Sequence, residues 1–216
     1  MKLEFNSLKR TILKDKVWLI ILLILTIVSV INYYVSISSS DFLKNINYFY
    51  ILIGVPSLKD ADMIYTLLNT YIIIYFIYFT INYFNYDLDY CSDNIVLREN
   101  EKHWFIRKTL SIILYVIFIK LLLFILISIM CKFEYKVSIT YLLITLIYPL
   151  TYSILTITLN NLFKNNVIVI ILSLVISLSL FFKLNIPVVL IFIDIILFIV
   201  NYITFKFKRI YKLKYN

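Results

Sequence analysis

Six stretches of this chain are apolar for about the length that a helix needs to cross a bilayer. That succession constrains the fold more than any other feature. A hydrocarbon core about 30 Å thick takes roughly 20 residues of helix. The stretches are Val17–Ser36, Met63–Phe84, Thr109–Met130, Ile139–Asn160, Val167–Phe182 and Pro187–Phe205. The fifth is the shortest, about 24 Å as a helix, which draws Asn165 and Asn166 towards the interface. A further apolar run, Tyr48–Pro56, is too short to cross and is expected to lie in the interface or to dip in and return. Composition agrees. Hydrophobic residues make up 62% and charged residues 15%, against about 25% charged in soluble domains. No soluble fold of this size hides that much apolar surface. The expectation is an all-α, polytopic membrane protein with six transmembrane helices, organised as an amphipathic start (1–16), a six-span body (17–205) and a basic tail (206–216).

Orientation follows from lysine and arginine counts. Of the 21, fifteen fall on the side holding both termini, the 85–108 loop and Lys164, and five fall opposite. Lys120 lies inside the third span. Both termini are therefore expected in the cytoplasm, at the cytoplasmic membrane of a bacterium; the Ile, Asn, Lys and Tyr content fits an AT-rich genome. The net charge of +9 is then a topology signal facing the inner leaflet, and nucleic acid need not be invoked. Trp18 and Trp104 fall at the same interface, as belt residues do. The long apolar run after the basic start, without a small-residue cleavage site, is expected to be a retained anchor. Cys91 and Cys131 lie at opposite faces and cannot pair. Pro149 is expected to kink the fourth span.

Rare residues exclude chemistry. One glycine, Gly54, rules out a Gly-rich phosphate loop, and one histidine, His103, rules out HExxH and multi-histidine metal sites. Asp87 and Asp89 form a DxD with Asp93 behind it, which could hold Mg²⁺, but no phosphotransfer signature accompanies it. No nucleophile stands beside His103 in a recognisable motif. The chain is expected not to be an enzyme and to carry no cofactor or metal of its own.

Two cytoplasmic segments suggest a partner. Before the first span, Phe5, Leu8 and Ile12 recur at helical spacing, with Lys2, Glu4, Lys9 and Arg10 elsewhere on the wheel. That is an amphipathic helix suited to an anionic leaflet, or an ordinary basic tail that fixes topology. The 85–108 segment, NYDLDYCSDNIVLRENEKHWFIRK, is longer than a connection needs and embeds apolar residues. Ser92 or Asp93 can cap a short helix over Ile95, Val96 and Leu97. It is a docking surface, or a solvated loop with an anchor at Trp104–Ile106.

On these residues the chain resembles the small six-span membrane (permease) subunits of ABC exporters of the ABC-2 type. The points of likeness are the amphipathic basic start, the six-span plan with cytoplasmic ends, and NIVLRENEKHWFIRK (Asn94–Lys108) before the third span. The resemblance implies that the N-terminal helix is an elbow helix and that Asp93, Asn94, Ile95, Val96, Leu97 and Arg98 form the element coupled to a separate ABC ATPase. That ATPase would bind the ATP and Mg²⁺. A dimeric permease core, with a second copy or a paralogue, is also implied, and the cargo stays open between peptide or bacteriocin, lipid and drug. Two other readings remain: the substrate-capture subunit of a vitamin-type importer, and a stand-alone membrane immunity or scaffold protein.

Ionisable residues inside spans are costly and normally paired or functional. Lys120 and Asp194 lie roughly 15 Å and 10 Å from the outer face; a salt bridge between spans three and six is the first reading, with a contact to substrate or ion, or an unpaired Lys120 that snorkels, as the others. Tyr141, Thr145, Tyr148, Tyr152 and Thr156 recur on one face of span four, and Tyr71, Tyr75, Tyr78 and Asn82 on one face of span two. Such rows either pack between helices or line a translocation path; 19 tyrosines align partly by chance. Ser173 and Ser177 form a small-xxx-small pair.

Overall fold

The computed structural model of the chain describes residues 2–37, 63–90, 101–130, 139–163, 165–183 and 187–204. Over these residues the protein is all-helical, with no strand among them. The helices are α1 (Lys2–Lys14), α2 (Lys16–Ile37), α3 (Met63–Tyr90), α4 (Glu101–Met130), α5 (Ile139–Leu162), α6 (Asn166–Lys183) and α7 (Pro187–Thr204). Two segments, Leu67–Tyr86 and Lys102–Met130, are long and apolar enough to cross a membrane. Apolar helical stretches at Lys16–Ile31, Asn166–Leu178 and Val189–Ile203 are shorter.

Two helices form the hub. α3 touches α1, α2, α4, α5 and α6, while α5 touches α3, α4, α6 and α7. The core splits accordingly. One cluster packs Leu22 of α2 with Phe76, Phe79 and Tyr83 of α3 and Phe105, Tyr115 and Val116 of α4. The other packs Ile73, Ile77 and Ile81 of α3 with Tyr148 and Tyr152 of α5, Val169 of α6 and Leu190 of α7. With only one glycine in the chain, close small-residue crossings are scarce, and aromatic rings fill the gaps. Phe79 stacks on Tyr115 at 4.0 Å and on Tyr83 at 5.8 Å.

The exterior is the apolar side of this molecule. Ile24 and Ile31 of α2, Leu114 and Phe118 of α4, and Phe192 and Ile196 of α7 are all exposed. Thr26, Ser29, Asn69, Thr80, Lys108, Lys120 and Asn201 are buried. Many interior hydroxyls are satisfied by the preceding turn of their own helix. Thr26 donates to the Leu22 carbonyl at 2.8 Å, Ser29 to Leu25 at 2.8 Å, and Thr158 to Ile154 at 2.9 Å.

Several boundaries differ from expectation. The 85–108 connection is largely helical: α3 continues to Tyr90 and α4 begins at Glu101, leaving 91–100 between them. The physical reason is packing, since Phe84 of α3 meets Trp104 and Phe105 of α4 edge-on at 5.3 Å and 6.2 Å. Trp104 is therefore a core residue, 4% exposed, and does not stand in an outward belt. Trp18, half-buried, packs between Tyr71 and Tyr78 of α3, at 5.8 Å and 5.0 Å. α6 starts one residue earlier than the apolar run because Asn165 caps it. The Asn165 Oδ1 accepts the Val167 N–H at 2.9 Å. α5 stays helical through Pro149.

Candidate functional site: a braced helix end and a buried lysine cavity

One end of the bundle is laced by polar side chains. Asp15, in the turn between α1 and α2, accepts a hydrogen bond from Asn82 of α3 (3.0 Å), and its carbonyl accepts the Trp18 N–H (3.0 Å). Lys108 of α4 is fully buried. Its Nζ donates to Ser7 Oγ of α1 at 2.8 Å and lies 3.5 Å from the centroid of the Tyr83 ring. Arg10 donates to the Tyr86 hydroxyl at 3.5 Å. Asn85 of α3 donates to Asn166 Oδ1 of α6 at 3.2 Å and accepts from Asn160 Nδ2 of α5 at 3.0 Å. Asn161 of α5 donates to Asn201 of α7 (3.0 Å), which donates to Thr158 (2.8 Å). These bonds bring the starts of α2, α4 and α6 and the ends of α3, α5 and α7 together. The six long helices therefore alternate in direction.

α1 lies across that end. Ser7 and Thr11 are buried, Leu8 and Ile12 pack against the aromatic cluster, and Asn6, Lys9, Arg10, Leu13 and Lys14 face outward. Leu8 and Ile12 of the apolar stripe read from the sequence are thus turned onto the bundle itself, where α1 meets α3 and α4, the two helices that flank 91–100.

The expected tyrosine rows occupy separate settings. On α3, Tyr71 donates to the Trp18 carbonyl at 2.9 Å, Tyr78 packs on Trp18, and Asn82 holds Asp15. Tyr75 turns the other way, to a short hydroxyl–hydroxyl hydrogen bond with Tyr115 of α4. On α5, Thr145 is buried and Thr156 back-bonds to the Tyr152 carbonyl at 2.6 Å. Tyr148 and Tyr152 line a small cavity with Asn69, Ile72 and Ile73 of α3, Lys120 of α4 and Pro149. The Tyr152 hydroxyl, like those of Thr80, Ser153, Ser173 and Ser177, is buried without a hydrogen-bond partner. The Tyr141 side chain lies outside the described residues, as do Asp93–Arg98, Tyr48–Pro56, Cys91 and Cys131.

The ion pair expected between Lys120 and Asp194 is not what the structure shows. Asp194 Oδ2 lies 3.0 Å from the Thr151 hydroxyl of α5, and Oδ1 is buried without a hydrogen-bond partner. Lys120 faces the cavity between α3 and α5, which Asp194 does not line. Depth along two helices was the only sequence signal available, and depth says nothing of which side a residue faces. Reversing both charges, Lys120→Glu with Asp194→Lys, is accordingly expected not to rescue the fold or assembly lost in either single reversal. Recovery of folded, monodisperse protein in the double variant would overturn this assignment.

Among the described residues no cluster of His, Cys, Asp and Glu could hold a metal ion. Asp87 and Asp89 fall on the last turns of α3, and His103 is exposed on α4. Sequence reasoning passed over Lys108, Ser7, Asn69 and Asn85. A weak signal existed for Asn85, in that Asn85, Asn160, Asn166 and Asn201 all fall near helix ends on one side.

The class these features define is an all-helical protein with an apolar exterior and two helices capable of crossing a membrane. Comparison with protein-family models, with characterised proteins and with solved structures finds no match to this chain.

Proposed function

We propose that this chain is the six-span permease subunit of a bacterial ABC exporter of the ABC-2 type. Both termini would be cytoplasmic, and a separate ATPase would drive transport. The observation that carries the reading is the placement of α1. It is an amphipathic helix strapped by Lys108–Ser7 and Asn82–Asp15 to the helices on either side of 91–100. An elbow helix braced against the coupling element would stand there. The alternating direction of six long helices, with apolar residues outward and polar residues inward, supports a bilayer setting. Exposed Lys9, Arg10, Lys14, Lys16 and Lys102 gather at the laced end, as positive-inside topology requires.

In this reading ATP-driven closure of two partner ATPases pushes on Asp93–Arg98 and shifts the packing of α3 and α4 together with α1. The chain itself binds no nucleotide and works as a dimer with a second copy or a paralogue. The test starts from the neighbouring genes: an ATP-binding protein encoded beside this one is expected and is co-expressed with it, and the absence of any such gene counts against the proposal. The expected result is a stable complex, with a cysteine at Leu97 cross-linking to the ATPase and Arg98→Glu abolishing transport-coupled ATP hydrolysis. A chain that purifies without any ATPase, or one that cross-links only through another region, overturns the proposal. The second outcome would favour a vitamin-type importer subunit.

A further inference from the structure

We propose that the elbow between α1 and α2 binds an anionic glycerophospholipid, its phosphate held by Lys9, Lys14 and Lys16 and its acyl chains lying along the outer side of α2. Leu8 and Ile12 of α1 are turned onto the bundle, so that stripe does not meet a leaflet. The face that remains outside carries Lys9, Arg10, Leu13 and Lys14. Leu13 falls between Lys9 and Arg10 on the helical wheel and is 58% exposed. Past the turn at Asp15, Lys16 and Val17 are exposed as well. Arg10 donates to the Tyr86 hydroxyl, and the Asp15 carboxylate is buried against Asn82. Among the described residues, no side chain pairs with the Lys9, Lys14 or Lys16 ammonium.

Charge, depth and apolar continuity together choose the ligand. Each ammonium brings three donors and no acceptor, and a phosphodiester offers only acceptors. The cations stand where the apolar exterior of the molecule ends, the depth at which a bilayer places its phosphates. Beyond them Val17, Ile20, Ile24, Val28 and Ile31 are exposed on α2. Val17 to Ile31 rises about 21 Å, against about 15 Å for the hydrocarbon of one leaflet. An acidic protein or a free phosphate would match the lysines and leave Leu13, Val17 and Ile20 uncovered, whereas a lipid covers both. The site rests on the bilayer setting proposed above and is independent of coupling to an ATPase.

The experiment follows thermal unfolding of the full chain in detergent micelles. These are doped with phosphatidylglycerol, with phosphatidylcholine of the same acyl chains, or with sodium glycerophosphate at equal phosphate concentration. The expected result is a saturable rise in melting temperature with phosphatidylglycerol alone, weaker at high salt. Lys9→Gln, Lys14→Gln and Lys16→Gln should each lower the apparent affinity about fivefold, and the triple variant about a hundredfold. All three lysines are exposed, so the variants should melt as the parent does without lipid. Lys102→Gln, which removes a cation at the same end of the bundle, should leave the lipid effect unchanged. Equal melting in both lipids, or an undiminished effect in the triple variant, would overturn the proposal and leave the face to an acidic protein partner. A rise with glycerophosphate would overturn it in favour of a free phosphate. Reconstitution into vesicles of each lipid separates the site from its setting. A chain that enters neither overturns the bilayer setting itself, and one that enters both without preferring the anionic lipid overturns the site alone.

Discussion

Replacing Tyr83 with alanine should cost about 5 kcal/mol of unfolding free energy and loosen α1 at the same time. Tyr83 is fully buried, stacked nearly parallel on Phe79 at 5.8 Å and 8°, and its other role is to carry the Lys108 ammonium 3.5 Å from its centroid. Truncating a buried aromatic residue to alanine costs about 3–5 kcal/mol through lost packing and the cavity left behind. Loss of a desolvated cation–π contact adds about 2 kcal/mol. The packing term survives in a bilayer because a void loses its contacts whatever the solvent. Lys108→Met isolates the electrostatic share. It keeps most of the stem, removes the ring contact and the bond to Ser7, and should cost about 2 kcal/mol. The two losses should be non-additive, because each variant removes the same contact. Unfolding in detergent measures all three variants. A reporter cysteine at Thr11, buried in the native protein, should become reactive in Tyr83→Ala and in Lys108→Met. A loss below about 2 kcal/mol for Tyr83→Ala, or strict additivity with Lys108→Met, would show that the ring does not seat the lysine.

The second large effect belongs to Asn85. Its amide joins Asn160 of α5 and Asn166 of α6 to α3, and Asn85 itself is 4% exposed. Asn85→Leu removes these bonds and strands two amides at the helix junction. A buried polar group left unsatisfied costs about 1–3 kcal/mol; Asn160 is half-buried and Asn166 exposed, so a total of about 1–2 kcal/mol is expected. Asn85→Leu with Asn160→Leu should cost less than the sum of the single losses, because replacing both partners leaves fewer orphans. Thermal melts of the singles and the double test this. A double variant as unstable as the sum would mean that the two asparagines act separately.

Both predictions concern the end of the bundle where α1 lies, and there the sequence was only partly legible. The 3.6-residue recurrence of Phe5, Leu8 and Ile12 identified an amphipathic helix, but not what its apolar face would meet. A leaflet and a helix bundle present the same apolar demand, and only the tertiary arrangement of α3 and α4 decides between them. Trp104 carries a similar lesson. At a span end it reads as an interfacial anchor, yet the continuation of α3 to Tyr90 brings Phe84 beneath it and turns it inward. The Lys120–Asp194 pairing failed because depth along a helix is readable from position, whereas azimuth depends on which neighbour a helix packs against. Here α7 packs most closely on α5, so Thr151 reaches Asp194 and Lys120 turns into a different interface.

By itself the sequence determined the helical class and the positions of the long apolar helices. These follow from local periodicity, run length and the cost of charge in apolar surroundings, all properties of contiguous residues. The tertiary structure alone decided which polar residues meet: Lys108 with Ser7 and Tyr83, Asn85 with Asn160 and Asn166, and Lys120 with Tyr152 around one small cavity. Those partners are separated by dozens of residues, and in an apolar exterior environment hydrophobicity does not rank one helix face above another. Side-chain shape and hydrogen-bond satisfaction between particular helices make that choice, and they exist only once the helices have packed.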